Sequence, residues 1–233
     1  IGLFFFFFLI YFYFSKKIRN EYLYVCFFIF VLIIFLVFIG WFMVQSGLVN
    51  DITVSHYRLS IHLATAIIII SSIYWLIMNT YSKKNKFFFR ISMQNLPFQM
   101  LILLILFQII MGAFVSGLDA GKIYQTWPLM GTSYVPNDYS FINFQSLFKL
   151  DEHSLVQFYH RNLAYLIIIY ATFLAIFIYK KKMQNLYFTL KVLLIFLFIQ
   201  VILGIFTLVT GLNIFLASAH QITSVLLVFS ALN

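Results

Sequence analysis

Long apolar runs separated by short polar breaks are the dominant pattern of this chain. A helix that crosses a bilayer needs about 20 mostly apolar residues. Such runs lie near 1–14, 23–44, 57–78, 98–117, 155–179, 188–210 and 214–231. The pattern therefore predicts seven spans, the first one truncated. Only the break at 118–154 is long. It is too polar to span, and its GLDAGKIYQTWPLMGTSYVP stretch, with Gly, Trp and Pro, predicts a structured cap on one membrane face.

Composition agrees with this reading. Of 233 residues, 64% are hydrophobic and 9% charged, with a mean hydropathy of +1.01. Soluble domains carry roughly 25% charged residues, so the sequence predicts an all-α membrane protein with the lipid bilayer as its first partner. The formal charge of +9 would suggest nucleic acid if the basic residues clustered on one surface, and they do not. Lys16, Lys17 and Arg19 follow the first run; Lys83, Lys84, Lys86 and Arg90 follow the third; Lys180, Lys181, Lys182 and Lys191 flank the turn after the fifth. The other breaks carry Asp51, Asp119, Asp138, Asp151 and Glu152 with only Lys122 and Lys149. The positive-inside rule places the basic breaks in the cytoplasm or the equivalent matrix. Nucleic acid drops out as a partner.

The single cysteine, Cys26, lies in an apolar run, which excludes an internal disulfide and predicts a lone buried thiol. Gly117–Lys122 superficially resembles a phosphate loop. The spacing is wrong, and Ile123 stands where Ser or Thr would hold Mg²⁺. The chain opens at Ile1 inside an apolar run, without Met, and reads as a fragment rather than a signal peptide.

Aligning the runs reveals a repeat. GWFMVQSGL (40–48) and GIFTLVTGL (204–212) both fit G-x-F-x-x-x-[ST]-G-L, and a weaker echo, GAFVSGL (112–118), closes the fourth run. The first two lead into helices with an early histidine, YRLSIHLATA (57–66) and FLASAHQITS (215–224). Two similar halves, each a bundle of four helices, would explain the pattern. The stretch HSLVQFYHRNLAY (153–165) opens the fifth run and places His160 on a face with Val156, Gln157, Ala164 and Ile167.

Ionisable groups at membrane depth are costly and point to function. His62, His160 and His220 each lie five or six residues into their spans, roughly 8–9 Å from one boundary at 1.5 Å per residue. Each has a small residue four places on: Ala66, Ala164 and Ser224. That spacing leaves room for a large flat group beside a neutral imidazole, and imidazole is a common axial ligand of haem iron. His160 and His220 can face each other across one bundle. His56 and His153 fall at the loops, where solvated or interfacial roles fit. Arg58, a turn above His62, and Arg161, beside His160, are candidate partners for haem propionates, because guanidinium matches carboxylate bidentately. Snorkelling to the interface is the alternative for both.

Taken together, GWFMVQSGL, VSHYRLSIHL, GAFVSGLDAGKIYQTWPLM, EHSLVQFYHR and LASAHQ resemble haem A synthase, in the branch shared by mitochondria and alphaproteobacteria, over essentially the whole chain. The resemblance implies eight helices in two pseudo-symmetric four-helix halves: residues 1–117 as an incomplete substrate-haem half, 118–154 as the outer loop, and 155–233 completing the haem b half together with the fourth span. It implies a resident haem b between His160 and His220, and haem O as substrate with His62 as one axial ligand. The implied reaction oxidises the C8 methyl of haem O through two hydroxylations to a formyl group, giving haem A for cytochrome c oxidase. Haem O would come from haem O synthase, the electron-transfer partner is unassigned, and a homo-oligomer is compatible with the pattern. The implied location is the bacterial inner membrane, or alternatively the mitochondrial one.

The family's E-x-x-H-R motif, with the first-half ligand and its carboxylate, falls before Ile1. The stretch by itself is therefore expected to bind haem b and make no haem A. Gln157 takes the place of the glutamate in the second half, and the paired loop cysteines of other branches are missing. The rival from another class is a membrane electron-transfer cytochrome with two histidine ligands. Ligands near one face only count against it.

Overall fold

The computed structural model describes the chain except residues 1, 48–53, 82–91, 94 and 139–143. The basic cluster Lys83, Lys84, Lys86 and Arg90, together with Asp51 and the Leu48 that ends the first repeat, lies outside the described residues. Among the described residues seven α-helices follow in order: α1 (Gly2–Ser15), α2 (Asn20–Gly47), α3 (His56–Tyr81), α4 (Leu96–Gly117), α5 (His153–Lys180), α6 (Tyr187–Val209) and α7 (Ile214–Leu232). Six are long and apolar enough to cross a bilayer, and α1 is a shorter apolar helix. The chain is an all-α, multi-pass membrane protein.

Lipid offers no hydrogen bonds, so each span must satisfy its own backbone. Polar side chains inside the spans do the same. Thr65 donates to the carbonyl of Ile61, Ser72 to Ile68, Thr172 to Ile168 and Thr223 to Ala219, each one turn back on its own helix. Large apolar side chains such as Phe27, Val37, Phe173 and Phe198 point outward, as a lipid-facing surface requires. Cys26 is free and only half-buried on α2, less enclosed than its apolar surroundings predict.

The repeat's closing [ST]-G-L is a helix stop. Gly211, at φ +75°, donates from its N–H to Leu208, and the N–H of Leu212 reaches back to Thr207. This pair of bonds ends a helix on a left-handed residue, a position that favours glycine. Asn213 then caps α7 by accepting from the N–H groups of Phe215 and Leu216.

The chain divides into two units, Ile1–Phe89 and Arg90–Asn233. In the first, α2 packs between α1 and α3, and Tyr22 near the start of α2 donates to the carbonyl of Asn79 near the end of α3. In the second, α4 packs along α5 and against α7, while α6 packs along α7 and against α5. That ring of neighbours places α5 and α7 on one diagonal of a four-helix bundle, with α4 and α6 on the other.

Candidate functional site

Each of the three deep histidines meets a glycine of the preceding helix. A Cβ on Gly40 of α2 would lie 3.3 Å from Cε1 of His62 on α3. The same atom on Gly112 of α4 would lie 3.2 Å from Cε1 of His160 on α5, and on Gly204 of α6 it would lie 3.0 Å from Cε1 of His220 on α7. These glycines open the repeated motif and its echo. The motif's first residue is thus the notch that receives the next helix's imidazole, and its last residues end the helix. His62 is six residues beyond His56, His160 seven beyond His153, and His220 six beyond Ile214. Each is about 9–11 Å along its own helix.

Hydrogen bonding separates the two units. In the second, Nδ1 of His220 lies 3.1 Å from the main-chain oxygen of Gln200, one turn before Gly204. A carbonyl only accepts, so this contact places the proton on Nδ1 and leaves a lone pair on Nε2. The Gln200 amide nitrogen is 3.3 Å from that Nε2. The amide nitrogen of Gln108, one turn before Gly112, lies 3.2 Å from Nδ1 and 3.4 Å from Nε2 of His160, and donates to the His160 carbonyl at 3.1 Å. In the first unit, Leu36 holds the corresponding position on α2, and the buried Nδ1 of His62 has no hydrogen-bond partner among the described residues.

The sequence reading missed Gln108 and Gln200. The signal was a Q-x-x-x-G spacing repeated in α4 and α6, a polar residue inside an apolar span one turn before the motif glycine.

Arg161 and Gln157 face the loop, not the helix that His160 meets. Arg161 Nη2 donates to the carbonyl of Tyr124 at 2.9 Å, and Nη1 to those of Thr126 at 2.9 Å and Leu129 at 3.3 Å. Its buried Nε has no partner among the described residues. Gln157, 2% exposed, donates to Tyr124 at 3.0 Å and keeps its Oε1 unpaired. Further along α5, Tyr165 accepts from the indole of Trp127, and Asn162 accepts from the hydroxyl of Tyr134. The loop also rests on the α6–α7 turn. A Cβ on Gly121 would fall 2.8 Å from Leu212.

At the loop's far end Asp138 accepts from the hydroxyls of Tyr124 and Ser154, tying the loop to the first turn of α5. Partial burial raises the Asp138 pKa, but the two hydroxyl donors outweigh it and hold the carboxyl below its ordinary value. Its hydrogen bond to Asp138 pushes the Tyr124 phenol up. In the first unit, Arg58 stacks its guanidinium 4.1 Å above the ring of Phe42, the motif phenylalanine two residues after Gly40. His56 and His153 are the first residues of α3 and α5.

His160 and His220 lie on diagonally opposed helices of one bundle. Imidazole is a common ligand of haem iron, and each of these two is set into a notch that a Cβ would fill. The buried, unpaired Oε1 atoms of Gln108 and Gln200 add polar character beside them.

The fold and site define a multi-pass membrane protein with a histidine pair inside a four-helix unit. The COX15-CtaA family profile, described as cytochrome oxidase assembly protein, matches residues 1–232. The chain belongs to this family, the haem A synthase family. It is 41% identical over 204 residues to the heme A synthase of Pelagibacter ubique, covering 88% of this chain and 59% of that protein. Against the heme A synthase of a Wolbachia from Brugia malayi it is 39% identical over 196 residues, covering 84% and 57%. Against that of Flavobacterium johnsoniae it is 36% identical over 228 residues, covering 95% and 66%. The chain spans about three-fifths of the length of these curated relatives.

Proposed function

We propose that this chain serves in haem A synthesis, as an oxidoreductase that converts the C8 methyl of haem O to a formyl group for cytochrome c oxidase. The observation that carries this reading is the pair His160 and His220, on diagonal helices of one unit and each seated against a glycine. In this reading they would hold a resident haem b, and His62 would ligate the substrate haem in the first unit.

A methyl C–H bond has no acidity to exploit, so the one-electron redox chemistry comes from haem iron. The protein's own residues bind, orient and enclose. Gly40, Gly112 and Gly204 let the imidazoles sit close against a helix. Arg161 and Gln157 fasten the loop stretch from Tyr124 to Leu129 to α5. Arg58, held over Phe42, is placed one turn from His62 to meet an anionic edge of the substrate. A bacterial inner membrane, or alternatively the mitochondrial inner membrane, is the proposed setting.

The test is extraction of haem from membranes supplied with haem O. Membranes carrying the protein should yield haem A. Failure to make haem A, with haem b still bound, would favour an electron-transfer cytochrome.

A further inference from the structure

We propose that the short 3₁₀ helix Phe144–Phe148, near the end of the loop before α5, is a membrane anchor. Its two phenylalanines insert among the lipids of the leaflet in which α5 begins. The occupant of this apolar pair is lipid, not a second copy of the chain or another protein. The proposal does not rest on the haem reading.

Phe144 and Phe148 are 75% and 65% exposed, more than Phe173 on the span of α5 at 57%. Their rings meet edge to face with centroids 5.1 Å apart, so they form one apolar patch rather than two scattered residues. Ser146 between them is buried, which fixes the side of the 3₁₀ helix that faces the protein. Tyr159 fixes the depth of the patch. Its hydroxyl donates to the carbonyl of Leu147 at 2.8 Å. Tyr159 lies six residues beyond His153, where α5 begins, about 9 Å along the helix. Helical side chains lean back toward the N-terminus. This bond therefore holds the 3₁₀ helix beside the first turns of α5, at the edge of its membrane span. The return to α5 is short, with the N–H of Leu150 donating to Phe148 and that of Glu152 to Lys149.

The same side of α5 meets lipid further along. Leu166 and Phe173, seven and fourteen residues beyond Tyr159, come back to about the same face of the helix, and both are exposed. The patch thus continues the lipid-facing surface of the span. Lys149, Asp151 and Glu152, which follow it directly, are charged and exposed. An apolar face beside a charged one is the pattern of an element at a membrane surface, sunk roughly 5–10 Å into the boundary of headgroups and acyl chains. A protein partner is a poorer fit. A stable interface buries about 800 Å² on each side, and two phenylalanine side chains offer at most about 500 Å².

The test places spin labels in the protein reconstituted into phospholipid bilayers. Cys26 is the sole cysteine, so Cys26→Ser gives a background in which Phe144→Cys and Phe148→Cys each carry one nitroxide. Power-saturation EPR then compares collisions with oxygen, which concentrates in lipid, and with a nickel chelate, which stays in water. The proposal predicts oxygen access well above nickel access at both positions. That matches a Phe173→Cys reference on the span and reverses the order at a Lys122→Cys reference on the loop. Nickel access equal to that of Lys122→Cys overturns the proposal, because the pair then lies in water. Low access to both reagents also overturns it, because protein, a second copy included, then covers the patch. Where a labelled variant fails to fold, the unaltered protein is irradiated beside a phospholipid with a diazirine in its acyl chain. Crosslinking to the 144–148 peptide supports the anchor. Crosslinking to α5 alone overturns it.

Discussion

The Nδ1 of His220 lies 3.1 Å from the main-chain oxygen of Gln200. In an α-helix that oxygen already accepts from the N–H one turn on, which is Gly204. With no side chain at 204 the carbonyl stays open to a second donor from α7. One glycine thus fixes both how close the helices come and which nitrogen of His220 carries the proton.

Gly204→Ala should therefore rotate or displace the imidazole. The added methyl would meet Cε1 at 3.0 Å, against 3.2 Å for Gly112→Ala and 3.3 Å for Gly40→Ala. Overpacking of this kind costs about 1–3 kcal/mol. Thermal unfolding in detergent should rank the three variants in that order, with Gly204→Ala the least stable. Equal midpoints for all three would remove the notch argument.

Arg161 donates to three loop carbonyls, and hydrogen bonds from a charged group contribute roughly 1.5–3 kcal/mol each. Half-exposure places Arg161 toward the lower end of that range. Arg161→Leu should loosen the 124–129 segment, seen as faster proteolysis there and a red shift of Trp127 fluorescence in a Trp41→Phe, Trp75→Phe background. The haem spectrum should change little. A large spectral change with an intact loop would favour Arg161 as a propionate partner.

Asp138 gives the loop a pH dependence. Its folded pKa is lowered, so its contribution is present above the ordinary carboxylate value and is lost as pH falls through the folded one. The loop should loosen only below the usual carboxylate range, by the same Trp127 signal. Asp138→Asn should loosen it already at neutral pH and abolish the acid transition. A transition that survives in Asp138→Asn would assign it to another group.

The apolar helices were legible because hydrophobic length alone sets them: the six of spanning length and the shorter α1 all lie within about three residues of the predicted runs. The helices overrun those limits, as where α2 runs Asn20–Gly47 and α3 His56–Tyr81, because a helix need not stop where lipid does. The three histidines were legible as rare ionisable groups in apolar runs. Their partners were not. A glycine that receives a ring from another helix looks like any other small residue. The carbonyls that hold Arg161 have no sequence signature at all, since every residue has one. The repeat G-x-F-x-x-x-[ST]-G-L could be seen in the sequence, but its meaning, a notch followed by a stop, depends on which helix packs beside it.

The central claim is that one haem sits between His160 and His220, and ligand-by-ligand spectroscopy of residues 1–233 with bound haem b tests it most directly. The account predicts a six-coordinate, low-spin spectrum, because two imidazoles fill the axial positions. His160→Ala and His220→Ala should each give a five-coordinate spectrum or lose the haem, while His62→Ala leaves it nearly unchanged. The reverse pattern, with His62 required and His220 dispensable, would place the haem in the other unit and contradict the account.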